Sequence, residues 1–148
     1  MALSNLNNNV CSQVEKKFKP ETDKSFAKCK TILLIDDEEM VVEITEKMLK
    51  KIGSKVIKAN SGHEGLKLFQ TYQNQIDLII CDMIMPMMDG LELVHRLREI
   101  DPCVKVLLSS GSLIYEDEKD IKLRGFNGLI KKPYKMNDLS EKIEKVLQ

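Results

Sequence analysis

No sign of charge dominates this chain of 148 residues, in which 23 lysines and arginines stand against 23 aspartates and glutamates. Without net charge there is no global field to gather nucleic acid or an acidic membrane surface. Arginine is scarce, at three of the 23 cations, which argues further against a phosphate-backbone binder. No apolar run approaches the length of a membrane span, and the N-terminus lacks the apolar core of a signal peptide. The four cysteines (Cys11, Cys29, Cys81 and Cys103) show no Cys-x-x-Cys spacing. That leaves no zinc or disulfide framework and fits reduced thiols in a cytoplasmic protein. No internal repeat and no second domain is visible. The expectation is one soluble, cytoplasmic domain, long enough to bury a core without cross-links and with no role in binding nucleic acid or membrane.

What is present begins after a polar stretch. Residues 1–29 are rich in Asn, Ser and Lys, with Phe18 and Phe26 too isolated to form a buried stripe. They read as a flexible leader or linker, with at most a helical turn near Gln13–Phe18. From Thr31 onward the pattern alternates strand and helix. Thr31-Ile32-Leu33-Leu34-Ile35 and Ile76-Asp77-Leu78-Ile79-Ile80-Cys81 are nearly continuous apolar runs, the mark of strands covered on both faces. Between them lie a helix whose apolar face is read as Val41, Ile44, Met48 and Ile52, capped by Gly53, and a more alternating strand, Lys55–Ala59, expected near an edge. A second helix opens at Asn60-Ser61-Gly62, with Leu66, Phe69 and Tyr72 on one side. A third carries Leu91, Val94, Leu97 and Ile100, and precedes a strand over Val104–Leu108. The stretch Tyr115–Arg124 is charged and poorly patterned, so its helix is the least defined. Gly128–Lys131 forms a short fifth strand, and a last helix from about Asn137 turns Leu139, Ile143 and Val146 inward. Five strands alternating with five helices through short loops predict a doubly wound parallel α/β sheet in the flavodoxin-like order 2-1-3-4-5.

Four strand ends carry the polar chemistry: Asp36-Asp37, Asp82, Ser110-Gly111 and Lys132-Pro133. A lone Asp82 would sooner be a helix N-cap or a solvated loop acid, and the other positions reverse that preference. In that strand order all four ends lie along one sheet edge, with neighbouring strands about 4.8 Å apart. Three crowded carboxylates repel unless a cation sits among them, and oxygen-only donors suit Mg²⁺. With the cation present, Asp82 stays ionised and can attack phosphorus, while the Lys132 ammonium and the Ser110 hydroxyl bind phosphoryl oxygens.

From about Thr31 to Leu147 the chain resembles the receiver domain of two-component response regulators. The resemblance rests on Ile35-Asp36-Asp37-Glu38-Glu39, on Asp82-Met83-Ile84-Met85-Pro86-Met87-Met88-Asp89-Gly90, on Leu108-Ser109-Ser110-Gly111 and on Lys131-Lys132-Pro133. The separations Asp37–Asp82, Asp82–Ser110 and Ser110–Lys132 are 45, 28 and 22 residues. The resemblance assigns residues 30–148 to a receiver. It implies that Asp82 is phosphorylated by a histidine kinase or a histidine phosphotransfer protein, and that the domain cycles its own phosphoryl group with no independent turnover substrate. It further implies that Asp37, Asp82 and the Ile84 backbone carbonyl ligate Mg²⁺, with Asp36 acting through a bound water. Ser110, Lys132 and the backbone N–H groups of Met83 and Gly111 would hold the phosphoryl group, and the Lys132–Pro133 bond would be cis. One departure stands out: Leu129 occupies the place, three residues before the lysine, where family members usually carry Tyr or Phe as a switch aromatic. Neither Phe126 nor Tyr134 is in register to replace it. A weaker change on the face formed by helix 4, strand 5 and helix 5 is therefore expected.

Several readings stay open. Ile84 either hinders an attacking water or merely packs against its loop. Met85, Met87 and Met88 are read as packing residues, and His63 and His95 as surface residues. With no output domain after helix 5, the output is expected to be protein contact or onward phosphotransfer to an unknown target. Both a stand-alone regulator and a hybrid-kinase receiver fit. Three rivals stand beside the leading reading. A degenerate receiver would serve only as a docking module. An aspartyl-phosphate phosphatase wants an acid where Ile84 stands. A flavin binder would place its phosphate against Asp36 and Asp37.

Overall fold

The computed structural model describes residues 29–111 and 117–148. Residues 1–28, which hold nearly all of the leader expected over residues 1–29 and the helical turn expected near Gln13–Phe18, and residues 112–116 lie outside the described residues. The strands are β1 (Thr31–Ile35), β2 (Lys55–Ala59), β3 (Leu78–Asp82), β4 (Val106–Ser110) and β5 (Gly128–Lys131). They form one sheet of order β2-β1-β3-β4-β5, with every neighbouring pair parallel. The helices are α1 (Glu39–Ile52), α2 (Gly62–Tyr72), α3 (Gly90–Ile100), α4 (Glu118–Leu123) and α5 (Met136–Leu147).

Strand runs without a polar face require cover on both sides, and both sides are covered. Phe69 of α2, Leu93 and Leu97 of α3 and Ile121 of α4 pack against Leu33, Ile79 and Leu108. On the opposite face Val42 and Leu49 of α1 join Leu139 and Ile143 of α5 over Leu34, Ile80 and Leu107. Gly53 closes α1 in the left-handed region at φ 103, as expected of a C-terminal glycine. Ser61 caps α2 by accepting from the Glu64 amide.

Three expectations need correction. The fully buried stripe of α1 is Val42, Thr45 and Leu49, one residue round from the more apolar one, of which Met48 and Ile52 pack against the core while Ile44 is 54% exposed. Thr45 can be buried because its hydroxyl finds a partner, described below. Strand β4 starts two residues later than its apolar run, because Asp101 organises the preceding turn: its side chain accepts from the Cys103 amide and its carbonyl from that of Val104. Cys81 is a buried free thiol, but Cys103 is disulfide-bonded, against the expectation of a reduced thiol in that loop. His63 and His95 are exposed, as expected.

Candidate functional site

Because β1, β3, β4 and β5 are consecutive in the sheet, Asp36, Asp82, Ser110 and Lys132 emerge side by side at its C-terminal edge. The backbone turns sharply there. The Asp36 side chain accepts from the Glu38 amide at 2.9 Å, which folds the chain back into α1. After β3 the loop is pinned by Gly90, whose amide donates to the Met83 carbonyl at 2.8 Å. A Cβ at Gly90 would lie 2.5 Å from the Asp82 carbonyl oxygen, so only glycine lets α3 begin this close to the strand end.

The charged groups meet. Lys132 Nζ lies 2.7 Å from Asp36 Oδ2 and 3.4 Å from Asp82 Oδ1. Carboxylate oxygens of Asp36, Asp37 and Asp82 all lie within 4.8 Å of one another. Asp36 and Asp82 are buried, whereas Asp37 is exposed. Burial first, then the Asp36 charge, push the Asp82 carboxyl above the usual carboxylate range, although Lys132 and the Met83 amide pull the other way. Burial alone would lower the Lys132 ammonium, but its hydrogen bond and charge pairing with Asp36, reinforced by Asp82, carry it above its ordinary value. The lysine is therefore firmly protonated. It offsets part of a three-acid cluster that still has room for a hard divalent cation, and the all-oxygen donor set fits one.

The remaining residues fall as follows. Ser110 is buried at the end of β4, and Gly111 is exposed beside Lys132. Among the described residues a Cβ added at Gly111 would come no nearer than 3.9 Å, to Lys132 Cβ. The Met83 amide donates to Asp82 Oδ1 at 3.0 Å. The Lys132–Pro133 bond is cis. Ile84 is 67% exposed and does not pack inward. Met85 and Met88 are buried, but Met87 is 91% exposed, which corrects its reading as a packing residue. Leu129 is buried in the core with Ile121 and Phe126.

Three features escaped sequence reading. Thr45 Oγ1 and Tyr134 Oη share a hydrogen bond of 2.9 Å across 89 residues. Ser109, the register partner of Asp82, carries a buried hydroxyl without a hydrogen-bond partner among the described residues. Arg98 spends its guanidinium on the carbonyls of Gly125, Pro102 and Val104 and on the Asn127 side chain, fixing the turn that leads into β5. No spacing or pattern in the sequence pointed to any of them.

A buried strand-end carboxylate, a protonated lysine and an acid cluster that could hold a cation lie together at one edge, an arrangement consistent with binding a phosphoryl group. Residues 32–144 match the family model of the response regulator receiver domain. The chain is 31% identical over 118 residues to the response regulator receiver protein CpdR of Brucella abortus (strain 2308), covering 80% of this chain and 97% of that protein. It is 29% identical over 134 residues to the sensor kinase CckA of the same organism, covering 90% of this chain but only 14% of the kinase's length. Among solved structures, the response regulator protein TrrA of Thermotoga maritima, in complex with Mg²⁺-BeF, matches with a TM-score of 0.69 and 28% identity. That match covers 79% of this chain and 98% of TrrA.

Proposed function

The chain belongs to the response regulator receiver domain family, the receiver modules of two-component signalling, and on that premise we propose that Asp82 accepts a phosphoryl group from the phosphohistidine of a histidine kinase or a histidine phosphotransfer protein. What carries the reading is the geometry of Lys132, which pairs with Asp36 and Asp82 at once while three carboxylates crowd within 4.8 Å. In the reaction an Asp82 oxygen attacks phosphorus, the P–N bond breaks and the imidazole leaves with the electron pair, so that an acyl phosphate forms. Lys132 and the Ser110 hydroxyl meet the phosphoryl oxygens, with the amides of Met83 and Gly111.

The acids suit Mg²⁺, and the Mg²⁺-BeF complex of TrrA supports that choice. Bound there, the cation would keep Asp82 ionised and offset the charge of the incoming group. Asp37 and Asp82, with the Ile84 carbonyl, are the direct ligands in this reading. Asp36 has one oxygen engaged by the Glu38 amide and the other by Lys132, so it acts through a bound water.

The phosphodonor is a protein in this reading. A groove of about 350 Å³ opens between α1 and the β5–α5 loop, beside Lys132, and is walled by Val41, Ile44, Met48 and Pro133. An apolar helix face carrying the phosphohistidine would seat there. We assign residues 30–148 to the receiver and residues 1–29 to a leader, in a cytoplasmic setting. No helix among the described residues is long and apolar enough to cross a membrane.

Incubation with acetyl phosphate and Mg²⁺, read by intact mass, tests the central step. The expected product carries one phosphoryl group, absent after chelation and absent in Asp82→Asn. An unmodified wild-type chain would leave the docking-module reading in its place.

A further inference from the structure

The β5–α5 loop is tied to the first strand–helix unit at two points. One is the ion pair from Lys132 to Asp36, at 2.7 Å. The other lies two residues further along, where Tyr134 Oη and Thr45 Oγ1 share a hydrogen bond of 2.9 Å. Thr45 is only 2% exposed, in a helix face otherwise formed by Val42 and Leu49. A hydroxyl in that setting is costly to leave unpaired, so the tyrosine is held to the place where it meets the threonine.

The two ties differ in what phosphorylation does to them. Lys132 divides itself between Asp36 and Asp82, and an oxygen-rich group on Asp82 would draw it away from Asp36. A lysine reaches its target on a flexible four-carbon stem, so its aim depends on a fixed backbone. Once the ion pair to Asp36 loosens, the bond between Tyr134 and Thr45 is the directional tie that still sets the register of this loop against α1, beside the packing of Tyr134 on the core. We propose that Thr45 and Tyr134 are positioning residues for Lys132, keeping the β5–α5 loop in register with α1 while the lysine changes partners. The inference rests on the reading of Asp82 as phosphoacceptor. Neither residue touches the reacting atoms; each acts through Lys132.

Beryllofluoride, a phosphoryl mimic, gives the test by titration calorimetry with Mg²⁺ present. The proteins are wild type, Thr45→Val, Tyr134→Phe and the double variant. One lost positioning hydrogen bond corresponds to roughly a 3- to 10-fold weaker mimic affinity. Both single variants should show it, and the double variant should be no weaker than either. Affinity for Mg²⁺ alone should stay within about twofold, because Lys132 is not among its ligands. Thermal stability separates aim from folding. Tyr134→Phe leaves the Thr45 hydroxyl orphaned and melts lower, whereas the double variant has no orphan and recovers. Mimic affinity that recovers along with the melting temperature would overturn the inference, as would wild-type affinity in both single variants or a parallel loss of Mg²⁺ binding. A wild-type protein that binds no beryllofluoride and takes up no phosphoryl group would remove the reading of Asp82 first, and this inference with it.

Discussion

Met87 is the least comfortable residue of the loop that follows Asp82. It sits at φ 68, in the left-handed region, with the Met88 amide donating to the Pro86 carbonyl at 2.7 Å to close a γ-turn around it. Its side chain is 91% exposed, so nothing gained by packing offsets a backbone that disfavours any residue with a Cβ. Met87→Gly should therefore stabilise the fold by about 0.5–1 kcal/mol, the left-handed penalty less the entropy glycine loses on folding. Thermal or denaturant unfolding checks it, and a lower midpoint would refute it. The neighbouring methionines illustrate what a sequence conveys about single residues. Met85, Met87 and Met88 are chemically identical and lie within four positions, yet two are buried and one projects into solvent. A loop has no period from which to infer which way each side chain turns. Asp36, Asp82, Ser110 and Lys132 were legible for the opposite reason, since each ends an apolar run whose direction and depth are set by its own pattern.

At the scale of elements, the strands and the inward faces of α3 and α5 were legible, whereas the rotation of α1 and the pattern of α4 were not. Helix α1 carries two adjacent stripes, and the fully buried one holds Thr45, whose hydroxyl meets Tyr134, a partner 89 residues away. Helix α4 is only six residues long, with Ile121 as its buried anchor, which explains why no apolar period marked it. Its Glu118 pairs with Lys142 and Lys145 of α5. The hydrogen bond from Lys142, together with those lysine charges, holds the Glu118 carboxyl below the usual range despite some opposing desolvation. Between these helices, Leu129 of β5 is buried in the core rather than poised at the edge. With an ion pair across the top and Leu129 packed beneath, a small change on the α4–β5–α5 face is the expected outcome. Beryllofluoride with Mg²⁺ should shift amide resonances strongly in the loops that carry Asp37, Asp82, Ser110 and Lys132, and only weakly over Glu118–Leu123 and α5. Shifts on those two helices as large as those in the loops would contradict this account.

Over the whole molecule, the sheet order converts residues far apart in sequence into one acidic cluster, and that clustering strains the fold that makes it. The parallel arrangement could be read from alternating apolar patterns. The cross-ties that lock it could not, because Arg98 reaching Gly125 and Asn127 is a matter of tertiary approach with no spacing to betray it. The strain has a definite sign. Burial and the Asp36 charge raise the Asp82 carboxyl above its unfolded value, so the folded chain holds that proton more tightly than the unfolded one. Stability contributed by this group is present in full below the unfolded carboxylate range and declines as pH rises through the raised folded value. Above that raised value the fold carries an ionised carboxylate it would rather neutralise, and a bound cation or a neutral side chain relieves it. Mg²⁺ should raise the melting temperature of the wild-type protein, by mass action equivalent to about 2.7 kcal/mol at roughly a hundred times the dissociation constant, and chelation should reverse the gain. Asp82→Asn should melt higher than wild type without cation and respond less when cation is added. If saturating Mg²⁺ leaves the wild-type melting temperature unmoved, the three acids do not share a cation and the charge balance drawn from Lys132 is wrong.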